Sequence, residues 1–194
     1  VMTLATGTIL YGATMLYCKG APGGHASEIM SSLANKNLFG IMNGVSVIWI
    51  ALAIITIVVL HYTNFGRSIY AVGTNAEAAR YSGINTPLVL YAVYIIAAIM
   101  GGIAGFLLLG YTEKGYLSTA SSYNLDSIAA VVIGGTSIMG GKGSYVGTIA
   151  GVAIMMILSS LMTVLHMPEA GKEMVQGALI IALLLLVNAR QKKA

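Results

Sequence analysis

The sequence predicts an all-α polytopic membrane protein of about six transmembrane helices, the fourth short or broken, with a cytoplasmic helix between the second and third. Three observations carry this. Of 194 residues, 57% are hydrophobic and only 8% charged, with mean hydropathy +0.86, whereas a soluble domain carries about 25% charged residues. The apolar residues fall in long runs that do not alternate with polar ones, which excludes a transmembrane barrel and leaves helices that satisfy their own backbone in lipid. The runs, about 1–17, 45–62, 88–110, 125–139, 145–165 and 173–189, are mostly near the 17–25 residues that span a bilayer.

The first run opens at Val1-Met2-Thr3-Leu4, already apolar, and reads as the continuation of a longer chain. Residues 18–44 follow, Gly- and Ser-rich at first and weakly amphipathic over 27–34. The second run ends at His61-Tyr62, before a polar island at 64–87. Pro87 suits the first turn of the third helix, where its missing N–H costs nothing. The fourth run carries Asp126 and the sequence Gly134-Gly135-Thr136-Ser137, and is expected to break at the glycines. Gly143, Gly147 and Gly151 recur every four residues, as do Gly101 and Gly105. Small residues at that spacing let helices approach closely in lipid. Trp49, Tyr62, Tyr91, Tyr111 and Tyr116 lie near run ends, as an interfacial belt would.

Lysine and arginine placement orients the chain. If all six runs cross, Arg67, Arg80, Lys142, Arg190, Lys192 and Lys193 share one side, and Lys19, Lys36, Lys114 and Lys172 lie on the other. Only one acidic residue, Glu77, joins the first group. That side is read as cytoplasmic, so the island, the 140–144 turn and the C-terminus face the cytoplasm and 18–44 faces outward. The basic residues sit at run ends rather than on one soluble face, which argues for lipid and against nucleic acid as a partner. The lone Cys18 excludes an intrachain disulfide and a cysteine-cluster metal site. His25, His61 and His166 are isolated, without metal-ligand spacing, and no catalytic constellation is visible.

Within the island, a helix from about Asn75 to Ser82 is expected. Asn75 would cap it and Glu77 would occupy the first turn, where the helix dipole favours an anion. Alanines at 76, 78 and 79 keep one face slim, and Gly83 would end it. Glu77-Ala78-Ala79, then three residues, then Gly83, has the spacing of the coupling loop of ATP-binding-cassette (ABC) importers. The surrounding stretch Phe65-Gly66-Arg67, Tyr70-Ala71-Val72-Gly73, Asn75, Glu77-Ala78-Ala79-Arg80, Ser82-Gly83-Ile84-Asn85 resembles the ribose-type (monosaccharide) importer permeases. So do Asp126 through Ser137, the turn Gly140-Gly141-Lys142-Gly143 followed by Val146-Gly147-Thr148, and the opening Thr3-Leu4-Ala5-Thr6. Pro87 follows Gly83 by four residues, which is similar to the sugar subfamily rather than to importers at large.

The resemblance implies a single permease domain over 1–194, lacking N-terminal helices that family members carry, with 64–87 as its cytoplasmic coupling loop. It implies a permease subunit of a sugar importer in a bacterial cytoplasmic (inner) membrane, not an enzyme. The implied partners are an ABC ATPase subunit, which holds the ATP, a periplasmic or lipid-anchored sugar-binding protein, and a second permease copy. Asn75, Glu77, Ala78, Ala79, Arg80, Ser82, Gly83, Ile84 and Asn85 are the implied ATPase-coupling residues. A permease for another solute (a branched-chain amino acid, a nucleoside or a sugar-derived signal) and a non-functional fragment are the alternatives.

The glycine block 134–143 is not a P-loop: Thr136 stands at the first glycine position and Gly143 where Ser or Thr is required. A tight cytoplasmic turn at Gly140, Gly141, Lys142 and Gly143 is expected, with Lys142 as a topological anchor. Asp126 is a candidate pathway or gating carboxylate. The alternative places it in the first turn of its helix, compensating the dipole, with Ser122 and Asn124 available as caps.

Overall fold

The computed structural model describes residues 2–19, 24–38, 42–115 and 121–168, together with 171, 172, 174, 175, 177, 178 and 181. The sixth apolar run and the basic tail lie largely outside the described residues, as does Tyr116.

The element order is α1 (Met2–Tyr17), β1 (Gly24–His25), α2 (Glu28–Asn35), β2 (Asn37–Leu38), β3 (Met42–Asn43), α3 (Gly44–Tyr62), α4 (Asn64–Thr74), α5 (Ala76–Tyr81), α6 (Thr86–Thr112), β4 (Lys114–Gly115), α7 (Ser121–Ile133) and α8 (Tyr145–Val164). Among the described residues three helices are long and apolar enough to cross a membrane: α3 with 19 residues, α6 with 27 and α8 with 20. At 1.5 Å per residue these extend roughly 28, 40 and 30 Å, against a hydrocarbon core of about 30 Å. Their flanks expose large apolar side chains, including Ile54, Ile55, Ile95, Ile99 and Ile157. In water that surface would be unfavourable; in lipid it needs no cover.

The chain divides into two compact units, one formed by Val1–Leu52 and Ile96–Ser121, the other by Ala53–Ile95 and Ser122–Ala194. In the first, the 18–44 segment is more built than its composition suggests. β1 pairs antiparallel with β4, and β2 with β3. The amphipathic stretch is the helix α2, laid on the last turns of α6. A Cβ at Gly110 would stand 2.9 Å from the Met30 carbonyl oxygen and 3.0 Å from the Ala34 Cβ. Glu113 ties the two together: its Oε1 accepts from Ser31 Oγ at 2.6 Å and Asn35 Nδ2 at 3.2 Å, and its carbonyl accepts from Ala26 N–H at 3.1 Å.

In the second unit α7 and α8 form a hairpin. Glycines at 134, 147 and 151 bring the two backbones together: a Cβ at Gly147 would overlap the Gly134 carbonyl oxygen, and one at Gly151 the Ala130 carbonyl oxygen. Ala129, Ala130 and Met155 are buried at this seam, with Ile133 and Leu158 against them.

Two packing expectations change. Gly143 lies ahead of α8, whose N-cap is Ser144, so only Gly147 and Gly151 belong to a helical stripe. A Cβ at Gly101 or Gly105 would meet nothing within 4 Å among the described residues. The spacing marks an accessible helix face there, without a contact among the described residues.

Candidate functional site: the polar inter-span segment and the glycine turn

Between α3 and α6 the chain makes two short helices where the sequence suggested one. Each junction is set by a capping side chain. Thr63 caps α4, its Oγ1 accepting from Gly66 N–H at 3.2 Å and donating to the Val59 carbonyl at 2.6 Å. Gly66 is required there, because its Cβ would overlap the Leu60 carbonyl oxygen on the last turn of α3. Asn75 is extended (φ −157°) and ends α4 while starting α5; its Oδ1 accepts from both Glu77 and Ala78 N–H at 3.0 Å. Asn85 Oδ1 accepts from Leu88 N–H at 3.3 Å and starts α6.

The end of α5 is also specified locally. Gly83 takes φ +84°, its N–H donating to the Arg80 carbonyl at 3.0 Å, while Ile84 N–H donates to the Ala79 carbonyl at 3.1 Å. These paired bonds are a Schellman motif, and Ile84 packs near Ala79 as that motif favours. The sequence expectation of a helix from Asn75 to a stop at Gly83 therefore holds, with α5 itself at Ala76–Tyr81.

One small core ties the segment together. Val72 of α4, Ala79 of α5 and Val89 of α6 are buried against one another, with Ile69, Ile84 and Val93 around them. Thr86, also buried, donates from its Oγ1 toward the Ala76 and Ile84 carbonyls at 3.4 Å. The opposite face of α5 is exposed: Glu77, Ala78, Arg80 and Tyr81 face solvent, Tyr81 at 91%. Beside it runs an open groove of about 850 Å³, lined by Glu77, Arg80, Pro87, Leu90, Tyr91 and Tyr94. Ala79 is the one residue of the triplet that points inward. Its small side chain lets α5 lie close to α4 and α6, rather than fitting an external groove.

Loss of the cap is a direct test. Asn75→Ala leaves two amide N–H groups without their acceptor and should cost about 1 kcal/mol, roughly a fivefold change in local opening. Hydrogen exchange of the 76–82 amides should accelerate by that factor, and unchanged rates would show that α5 is held by its neighbours rather than by its cap.

The glycine turn lies between α7 and α8 and is wider than the 140–144 expected. Gly135, Gly140 and Gly141 all have positive φ (+82°, +87° and +74°), a region open to glycine at little cost. Ser137 N–H donates to the Lys142 carbonyl at 2.8 Å, closing the loop, and the Lys142 side chain is exposed. The turn packs on the end of α4: a Cβ at Gly73 would stand 2.7 Å from Gly141 N, and one at Gly140 would stand 2.7 Å from Gly73 O. Tyr70 OH donates to the Gly143 carbonyl at 3.0 Å. Sequence reasoning named both segments but not this contact. Tyr70 and Gly73 were visible only as matching letters, because a backbone approach between residues about seventy apart has no local pattern.

Asp126 needs a correction. α7 begins at Ser121, so Asp126 lies in the second turn and Ser122 and Asn124 are inside the helix rather than caps. First-turn dipole compensation no longer explains it. Its Oδ1 is shielded from solvent. Over its 13 described residues, about 20 Å, α7 ends just before Gly134 and Gly135, where the break was expected.

Long apolar helices joined by a capped polar segment define an integral membrane protein. Residues 1–184 match the family of branched-chain amino acid transport system permease components, and the chain belongs to that family. It is 34% identical over 187 residues to the ribose import permease protein of Bacillus subtilis, which covers 96% of this chain and 58% of that protein. Against the ribose import permease protein of Escherichia coli K12 the identity is 33% over 200 residues, covering 98% and 60%. The xylose transport system permease protein of E. coli K12 is 40% identical over 132 residues, 68% of this chain and 34% of that protein. The chain thus spans somewhat under two thirds of the ribose permeases it matches. No solved structure matches it.

Proposed function

We propose that this chain is the transmembrane part of a sugar-importing ABC permease and that α5 is its coupling helix. The observation that carries the reading is the construction of α5. It is capped by Asn75, stopped at Gly83 and tied by its inner face to α4 and α6, while it presents Glu77, Arg80 and Tyr81 outward. A helix built this way moves as one body when its exposed face is pushed. The names of the relatives, ribose and xylose permeases, favour a sugar over a branched-chain amino acid or a nucleoside.

In this reading the bundle has six spans in the matched region and lies in a bacterial inner membrane with its C-terminus in the cytoplasm. Two permease copies line the path, a binding protein delivers sugar outside, and two ATPase subunits bind and hydrolyse ATP. ATP-driven closure of the ATPase pair pushes on α5, and the bundle shifts between outward- and inward-open states of different sugar affinity. Glu77, Ala78, Arg80 and Ser82 belong to the docking face. Ala79, Gly83, Ile84 and Asn85 hold its shape.

Two measurements test this. A pull-down from native membranes should recover an ABC ATPase with the permease, and reconstitution with a sugar-binding protein should give ATP-dependent uptake of ribose or xylose; recovery of the permease alone would remove the transport reading. For topology, Ser82→Cys should react with an impermeant maleimide only when the cytoplasmic face is open to it. Labelling of intact cells from outside would overturn the orientation.

A further inference from the structure

We propose that Gly73 and Gly141 form a transmission joint, a side-chain-free contact that carries motion of the coupling helix into the α7–α8 hairpin. The proposal rests on the coupling reading of α5 and adds the route by which the push leaves it.

Three observations place the joint. The end of α4 is continuous with the cap of α5: Asn75 N–H donates to the Ala71 carbonyl at 3.1 Å while Asn75 Oδ1 holds the first turn of α5. Gly73 and Thr74, the two residues before that cap, touch the glycine turn directly. A Cβ on Gly73 would stand 2.7 Å from Gly141 N, and a Cβ on Gly141 would stand 2.5 Å from Thr74 Oγ1 and 2.8 Å from Thr74 Cα. The turn is in turn continuous with a hairpin whose own seam is backbone on backbone at Gly134, Gly147 and Gly151. From Gly73 through Gly141 and the hairpin seam to α8, the closest approaches are therefore backbone on backbone. Tyr70, bonded to the Gly143 carbonyl at 3.0 Å, limits sliding of the turn along α4.

The physical consequence is stiffness. A contact between side chains absorbs a small displacement by changing rotamers, whereas two backbones in van der Waals contact must move together. The core of Val72, Ala79 and Val89 already links α5 to α6. The joint gives a second, independent output to α7 and α8, so one push moves two elements. A single methyl at either glycine separates the surfaces without touching the exposed face of α5.

The test uses the permease expressed from its own gene, co-reconstituted with its ATPase and binding protein, with three variants. Gly73 lies within α4 at ordinary helical φ, so Gly73→Ala adds a collision without backbone strain. Gly141→Ala adds both a collision and a positive-φ penalty. Gly135→Ala adds the same penalty (φ +82°) in the same turn with nothing within 4 Å of its Cβ, and so controls for strain alone. Three readouts are taken for each: ATPase subunit co-purified, ATP hydrolysed, and radiolabelled ribose and xylose taken up. Gly73→Ala and Gly141→Ala should keep co-purification and hydrolysis within about twofold of wild type while uptake per ATP falls at least tenfold, and Gly135→Ala should stay near wild type. Normal uptake in Gly73→Ala would overturn the joint. So would an equal loss in Gly135→Ala, which would mean turn strain, or a parallel loss of ATPase capture in Gly73→Ala and Gly141→Ala, which would mean a merely structural contact. A wild type that captures no ATPase or takes up neither sugar would defeat the transport reading itself, before any variant is compared.

Discussion

Gly147→Leu should separate α7 from α8 and produce the largest loss of stability of any single substitution in the described hairpin apart from Gly151. The Cβ alone would overlap the Gly134 carbonyl oxygen, and the backbone of the facing element, unlike a side chain, has no rotamer with which to yield. Three further carbon atoms then have to enter a seam already filled by Ala129, Ala130 and Met155. Overpacking a close-packed site costs about 1–3 kcal/mol, and a backbone wall puts this case at or above the upper figure. In lipid, where close van der Waals approach rather than the hydrophobic effect holds helices together, losing that approach removes most of the pair's attraction. The melting temperature in detergent should fall clearly below wild type while the protein still inserts. A normal melting temperature would show that α7 and α8 do not meet through these glycines.

Glu77→Lys should abolish association with the ATPase subunit and leave insertion intact. Glu77 is exposed in the first turn of α5, so no core contact is lost. Reversal acts twice. It places a cation at the positive end of the helix dipole, a local penalty of about 0.3–1 kcal/mol. It also turns an attractive contact with any cationic partner group into repulsion, and breaking a desolvated interfacial charge pair costs about 2–5 kcal/mol. Together these correspond to a loss of capture from roughly fiftyfold to beyond a thousandfold. Glu77→Gln keeps the shape of the helix without the charge and should lie between. Equal capture by all three proteins would remove Glu77 from the coupling face and leave Ala78, Arg80 and Ser82 as its remaining members.

Much of the candidate site was legible because its determinants are short-range. Asn75 caps and Gly83 stops because each acts on backbone groups within four residues, and Glu77 reaches the first turn by counting alone. The break after Ile133 follows from two consecutive glycines in the same way. The division of the island into α4 and α5 was less visible, because Gly66 has meaning only when the last turn of α3 is known to lie behind it. Asp126 was misplaced because the run was counted from its first apolar residue, Leu125, with Ser122 and Asn124 as caps, whereas α7 already includes Ser121.

The glycines divide most clearly. By spacing, the pair Gly101 and Gly105 and the series Gly143, Gly147 and Gly151 are equivalent. In the structure Gly147 and Gly151 meet a facing backbone, Gly143 meets Thr136 outside the helix, and Gly101 and Gly105 meet nothing among the described residues. Composition and run length determined that this is a helical membrane protein, because bilayer thickness and backbone hydrogen bonding constrain each segment separately. Caps and stops determined where its polar helix lies, because they act within a turn. Only the tertiary structure decided which glycines touch, that α5 shares a core with α4 and α6, and that Gly73 lies against Gly141. Those facts depend on where distant backbones pass one another, and a residue without a side chain does not indicate its partner.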